Sequence, residues 1–139
     1  DINFVSPVLL TKALVQKKKI NKMASLVYMS SMGAEAVAPG LGIYAASKNA
    51  INSMAKTVAL ELVNRLIRVN TIMPSMVKTE LLETLTSFSK EDLAKDEAKY
   101  PLGYGKPEDV AYAAIYLLSD ASRWITGSFI KMDGGSTLA

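Results

Sequence analysis

The chain contains no cysteine and no histidine. Without cysteine there can be no disulfide and no thiolate nucleophile, and a reducing, cytoplasmic compartment is expected. Without histidine, imidazole-based triads and histidine metal sites are impossible, so no metal centre is expected. Strong charge of one sign is also missing. Charged residues make up 21% of the chain and the net charge is +3, which gives no field suited to nucleic acid. No apolar run approaches the length of a membrane span, and no signal peptide is visible, so no membrane partner is expected. The chain begins with Asp1 rather than Met, which leads us to expect that a preceding segment has been lost.

What remains is a chain of 139 residues, half of them apolar, enough for one domain with a core of its own. Residues 4–19 read as a helix through Phe4, Val8, Leu9, Leu14 and Val15, with Pro7 tolerable only near its first turn. The cations Lys17, Lys18, Lys19 and Lys22 follow it, and such a run is ordinarily a solvated helix end. Ser25–Met29 is short and apolar enough for a buried strand. A long helix is expected over 43–65, where Ile51, Met54, Val58 and Leu62 keep a helical period. Arg68–Met73 reads as a second strand stopped by Pro74. Residues 75–105 are polar and irregular, with one short helical segment near 89–98. Pro107, Glu108 and Asp109 suit the first turn of a helix running to Leu118. Thr126-Gly127 turns into a third strand, Ser128–Met132, closed by Asp133-Gly134-Gly135. Strands alternating with helices pair in parallel, so the expected class is α/β in a single partial domain spanning 1–139. With three strands, the first would be left with an open edge.

Tyr44 and Lys48 are the candidate chemistry. Four positions apart on a helix, a phenol and an ammonium share one face, one turn apart. A free phenol has a pKa of about 10, so acting near pH 7 requires roughly 4 kcal/mol of differential stabilisation. An ammonium at about 4 Å supplies about that much at an effective dielectric near 20. The pair alone could equally be a packed ring beside a solvated lysine. Ser31, thirteen positions before Tyr44 and just past a strand, adds a hydroxyl where open α/β sheets place ligands; Ser30 is its rival in register. Gly40-Leu41-Gly42-Ile43-Tyr44-Ala45 fits a loose Gly-x-Gly-x-x-Gly/Ala pattern. The preceding strand ends about ten residues earlier, so it is not read as a pyrophosphate-binding turn. Tyr112 and Tyr116, at helical spacing with Ile115, read as core or interface aromatics.

Six stretches in register resemble the C-terminal part of the short-chain dehydrogenase/reductase family. They are Val27–Ser31, Tyr44–Lys48, Arg68–Asn70, Pro74–Thr79, Pro107–Ala111, and Thr126-Gly127 with Asp133–Gly135. The resemblance implies the C-terminal half of a Rossmann-type doubly wound sheet and an NAD(P)-dependent oxidoreductase acting on a carbonyl or a secondary alcohol. The 3-oxoacyl carrier-protein reductase type is the commonest relative of this pattern, and NADP is slightly preferred over NAD. It implies Tyr44 as general acid/base, Lys48 as its partner and a ligand of the nicotinamide ribose, and Ser31 on the substrate oxygen. It further implies Asn3 in a water-linked relay with Lys48, and Pro74, Ser75, Val77 and Thr79 beside the nicotinamide. Ser75 stands where the family has Gly, which argues against a positive φ there. The family's Gly-rich first turn, its cofactor-selecting residue and its Asn-Asn-Ala-Gly segment have no counterpart in these 139 residues.

Two readings follow. The first is the catalytic part of an oxidoreductase, acting on a small or carrier-bound carbonyl, with Lys17–Lys22 and Arg65 as a basic patch for an acidic carrier. The alternative is a non-catalytic, truncated domain that oligomerises and does not bind dinucleotide. In both, the family resemblance implies that the helices at 4–19 and 43–65 form a homodimer or homotetramer interface, and Ala45, Ala46, Ala50, Ala55 and Ala59 are small enough for close approach.

Overall fold

Three parallel strands frame the fold: β1 (Ser25–Met29), β2 (Arg68–Pro74) and β3 (Phe129–Met132), in the order β1-β2-β3. They belong to a computed structural model in which residues 2–36, 38–80, 82 and 89–138 are described. Ser25 pairs with Arg68 and Met29 with Ile72, while Thr71 pairs with Phe129 and Pro74 with Met132. Pro74 therefore closes β2 as its last paired residue rather than standing outside it. It lacks an N–H, and its place at the strand end leaves no ladder donor missing from the interior.

Helices α1 (Val5–Gln16), α2 (Gly42–Leu62), α3 (Lys90–Glu97) and α4 (Pro107–Leu118) surround the sheet. α1 is shorter than the expected 4–19, because Lys18 already has φ +52° and ends the helical run. α2 gives way at its end to a 3-10 turn, Val63–Arg65. α3 is opened by a capping box in which Ser89 and Asp92 satisfy each other's backbone N–H groups. α4 starts at Pro107, with the Asp109 carboxylate accepting from Lys106 N at 2.7 Å. Among the described residues no helix is long and apolar enough to cross a membrane, and no acidic cluster could hold a metal ion.

Alternation along β2 assigns its two faces. Val69 joins Ala55, Ala59 and Leu62 of α2 in one cluster with Ile20 and Ile67, while Met73 packs with Met32 and Ala34. On the opposite face, the Arg68 guanidinium reaches α4. It donates to the carbonyls of Leu117 and Ser119, each at 3.0 Å, and to Ser122 Oγ at 2.8 Å. A cation there satisfies carbonyls that the end of a helix leaves open. The central strand is thus covered on both sides, and Ile67, Val69, Ile72 and Met73 are fully buried. Burial of each is worth roughly 1.5–3 kcal/mol.

Several expectations are corrected by this packing. Ala45, Ala55 and Ala59 are buried in the core, so they are not free for close approach by another chain. Tyr112 and Tyr116 are exposed on α4, which removes the core alternative for them and leaves the interface one. Arg65 is half-buried, and its guanidinium donates to the carbonyl of Ile20, within the run that carries the lysines. Lys17, Lys18, Lys19 and Lys22 remain exposed.

Leu66 ends the 3-10 turn in the left-handed region, φ +57°, and its side chain is 65% exposed. Left-handed backbone costs a non-glycine residue about 1–2 kcal/mol, partly offset by the extra chain entropy that glycine loses on folding. Leu66→Gly is therefore expected to raise the stability by about 0.5 kcal/mol. Urea denaturation would measure this, and a loss of stability would refute it.

Candidate active site

The carboxyl end of β1 leads directly to the candidate site. Ser30 is buried, and its hydroxyl donates to the Lys48 carbonyl at 3.1 Å, fastening the strand end to the backbone of α2. That bond engages Ser30 in the interior. Ser31, one residue on, has an extended backbone and caps a single 3-10 turn, Met32–Ala34, its Oγ accepting from Gly33 N at 3.0 Å. Met32 and Ala34 are buried against Met73, and Asn49 Nδ2 donates to the Ala34 carbonyl at 2.8 Å. The turn is held on two sides.

Tyr44 and Lys48 lie on the same face of α2, as their spacing requires. The Lys48 ammonium is 5.8 Å from the centroid of the Tyr44 ring, and Nζ donates to the Met29 carbonyl at 3.2 Å. The cation is therefore attached to the last residue of β1 and faces the aromatic ring. Partial burial lowers its pKa below the ordinary lysine value by disfavouring the charged form. Tyr44 stays 39% exposed. A Cβ placed on Gly33 would lie 3.1 Å from Tyr44 Cε1 and 3.3 Å from Ser31 Oγ. Ser31 Oγ and the Tyr44 ring thus both lie beside Gly33, just past the end of a parallel strand.

Asn3 is joined to the first turns of α2 through Ser47. Its Nδ2 donates to Ser47 Oγ at 3.3 Å, and the Ser47 hydroxyl donates in turn to the Tyr44 carbonyl at 2.7 Å. Asp1, part of the stretch that carries its resemblance, lies outside the described residues.

Beyond β2, Ser75 N donates to the Met132 carbonyl at 2.9 Å, and Ser75 Oγ bonds Tyr100 Oη at 3.1 Å. Ser75 is not among the residues with positive φ, as the serine in place of glycine suggested. Val77 forms an isolated parallel bridge with Gly105, and Lys78 N donates to the Gly105 carbonyl at 2.9 Å. Thr79 is exposed, its Oγ accepting from Leu82 N at 3.4 Å. The loop is braced by α3: Lys78 pairs with Glu97 at 2.7 Å, and Glu97 also accepts from Tyr104 N at 3.1 Å. Met76, Val77, Gly103, Gly105 and Asp133 help line a cavity of about 530 Å³ at the carboxyl ends of β2 and β3. Neither Tyr44 nor Lys48 lines that cavity.

Gly40 and Gly42 cradle nothing. A Cβ at either would meet no atom within 4 Å, and β1 has ended at Met29, so no tight strand-to-helix turn exists there. Sequence reasoning missed the Met29 carbonyl, which positions the Lys48 ammonium, and Gly33. The first is a backbone group without a residue-type signal. The second could have been sought in the glycine two positions after Ser31.

A phenol, an ammonium and a serine hydroxyl at the end of a parallel strand, in this order and spacing, define a protein class. A family model described as enoyl-(acyl carrier protein) reductase matches residues 1–137, and the chain belongs to the short-chain dehydrogenase/reductase family. It is 35% identical over 136 residues to a 3-oxoacyl-[acyl-carrier-protein] reductase FabG of Rickettsia conorii, covering 97% of this chain and 55% of that one. It is 37% identical over 131 residues to an NADP-dependent (R)-specific alcohol dehydrogenase of Lentilactobacillus kefiri, covering 91% and 51%. A short chain dehydrogenase family protein of Francisella tularensis superposes with TM-score 0.90 at 34% identity, over 99% of this chain and 60% of that one. A 4-hydroxyisoleucine dehydrogenase solved with NADH superposes with TM-score 0.88 at 32% identity, over 99% and 57%. The chain spans about half the length of the curated relatives it matches.

Proposed function

We propose that the protein carrying this chain is an NAD(P)-dependent oxidoreductase that reduces a carbonyl or oxidises a secondary alcohol. The observation that carries this reading is the convergence of Ser31, Tyr44 and Lys48 at the end of β1. The bound nicotinamide would supply or accept the hydride. The Gly33 N–H donates to Ser31 Oγ, leaving the Ser31 hydroxyl proton for a substrate oxygen. Tyr44 hands its phenolic proton to that oxygen during reduction and takes it back during oxidation. The Lys48 ammonium stabilises the phenolate that remains.

The residues fit the nicotinamide end of a dinucleotide. Lys48 has three N–H donors and one is engaged by Met29, so two are left for a ribose. Val77 and Thr79, on the braced loop after Pro74 and Ser75, would face the carboxamide. Ser75 itself is engaged by Tyr100 and Met132, so its part is to hold the loop. NADP is preferred on family resemblance. The relative solved with NADH is the reason to test both dinucleotides. A 3-oxoacyl group on an acyl carrier protein is the substrate suggested by the relatives' names. A homodimer or homotetramer is proposed through the outer sides of α1 and α2, where Leu9, Leu10 and Leu60 are exposed.

The pyrophosphate end of the cofactor has no cradle among the described residues. The 139-residue chain by itself is therefore expected to bind NADH and NADPH no better than millimolar. Isothermal titration checks this, and micromolar binding would overturn it. For the protein that carries the chain, turnover is followed by nicotinamide absorbance with a 3-oxoacyl thioester and with simple ketones. Absence of turnover with both dinucleotides would favour the non-catalytic, oligomerising reading.

A further inference from the structure

We propose that Gly33 is a positioning residue, which sets the distance between the Ser31 hydroxyl and the Tyr44 phenol. This rests on the oxidoreductase reading of those two groups. Gly33 is not glycine for conformational reasons, since its φ does not lie in the left-handed region and an alanine could adopt the same backbone. Space is what excludes a side chain. A Cβ there would lie 3.1 Å and 3.5 Å from two carbons of the Tyr44 ring, and 3.3 Å from Ser31 Oγ. Carbon contacts are ordinarily 3.5–4.0 Å, so something must give way.

The surroundings decide which group moves. The Met32–Ala34 turn is fixed by two buried side chains on Met73 and by Asn49 on the Ala34 carbonyl. Tyr44 is 39% exposed as a residue, so its side chain is free to swing outward. A methyl at position 33 would therefore leave the turn in place and move the phenol away from Ser31. The same glycine donates its N–H to Ser31 Oγ, so one residue both orients the hydroxyl and clears the space beside it. The Lys48 ammonium, held by Met29, stays where a ribose would find it.

Gly33→Ala in the full-length protein separates this role from a structural one. The thermal midpoint should be unchanged or raised. kcat should fall at least about tenfold, since small misplacements of reacting groups cost up to about 100-fold. KM for the dinucleotide should stay within about twofold, as expected when the loss is confined to the reacting geometry. In a Ser31→Ala background, Gly33→Ala should cost much less, because the distance it sets no longer matters. An unchanged kcat in Gly33→Ala, or a lowered midpoint that accompanies the loss, would overturn the proposal. If Tyr44→Phe abolishes turnover while Gly33→Ala preserves it, the site reading stands and the role of Gly33 alone fails. If Tyr44→Phe is fully active, the site reading itself fails.

Discussion

Replacing Tyr44 with phenylalanine is expected to lower kcat about 1,000-fold, close to 4 kcal/mol of transition-state stabilisation. The expected size follows from what is removed. Phenylalanine keeps the ring 5.8 Å from the Lys48 ammonium and deletes only the proton-carrying oxygen. Because Tyr44 is 39% exposed, no buried void is created and the fold should be unaffected. KM for the dinucleotide should change little, since Lys48 keeps its bond to the Met29 carbonyl. Steady-state kinetics with a circular-dichroism melt checks the result. A fall in kcat of less than tenfold would remove the phenol from the chemistry.

The pH profile should report the neighbour. Burial lowers the Lys48 pKa, so its charge is lost at a lower pH than that of an exposed lysine. Activity that depends on this cation should therefore fade as pH rises through the lowered value. Lys48→Arg keeps the charge at every accessible pH. Its alkaline limb should move upward, even though the altered shape lowers the maximal rate.

A comparably large effect, on stability rather than rate, is expected at Asn70. Its side chain is fully buried, donating to the Ile125 carbonyl at 2.9 Å and accepting from Ser128 N at 3.0 Å. These two bonds, with Gly127 N on the Val69 carbonyl and Thr126 Oγ on Val69 N, turn the chain into β3. Asn70→Ala would leave the half-buried Ile125 carbonyl and Ser128 N–H without partners, at up to about 1–3 kcal/mol each, and open a void where the fully buried amide stood. The loss should be about 4 kcal/mol, a large share of the 5–15 kcal/mol typical of a domain. Chemical denaturation of the protein that carries the chain would measure it, read as a midpoint shift at unchanged slope. A loss below about 1 kcal/mol would mean that water replaces the missing amide.

Arg68-Val69-Asn70 shows how a motif can be legible while its meaning is not. The triplet was recognisable from sequence as a strand and as part of the family pattern. That its two polar members are structural became apparent only when α4 and the β3 entry were placed beside them. The same holds for the alanines of α2. Their small size was plain, but whether they faced the core or a partner depended on which side of the helix met Val69. For Tyr112 and Tyr116, expected in the core or at an interface, the packing excluded only the core.

By itself, the sequence determined the order of strands and helices, the parallel class and the shared face of Tyr44 and Lys48. These depend on periodicity, capping residues and four-residue spacing, all of which are local. Only the tertiary structure tied Ser30 to the Lys48 carbonyl, brought the Met29 carbonyl to the Lys48 ammonium and seated Gly33 against the Tyr44 ring. Those contacts join residues distant along the chain, and no pattern within one helix or strand encodes how closely two elements approach.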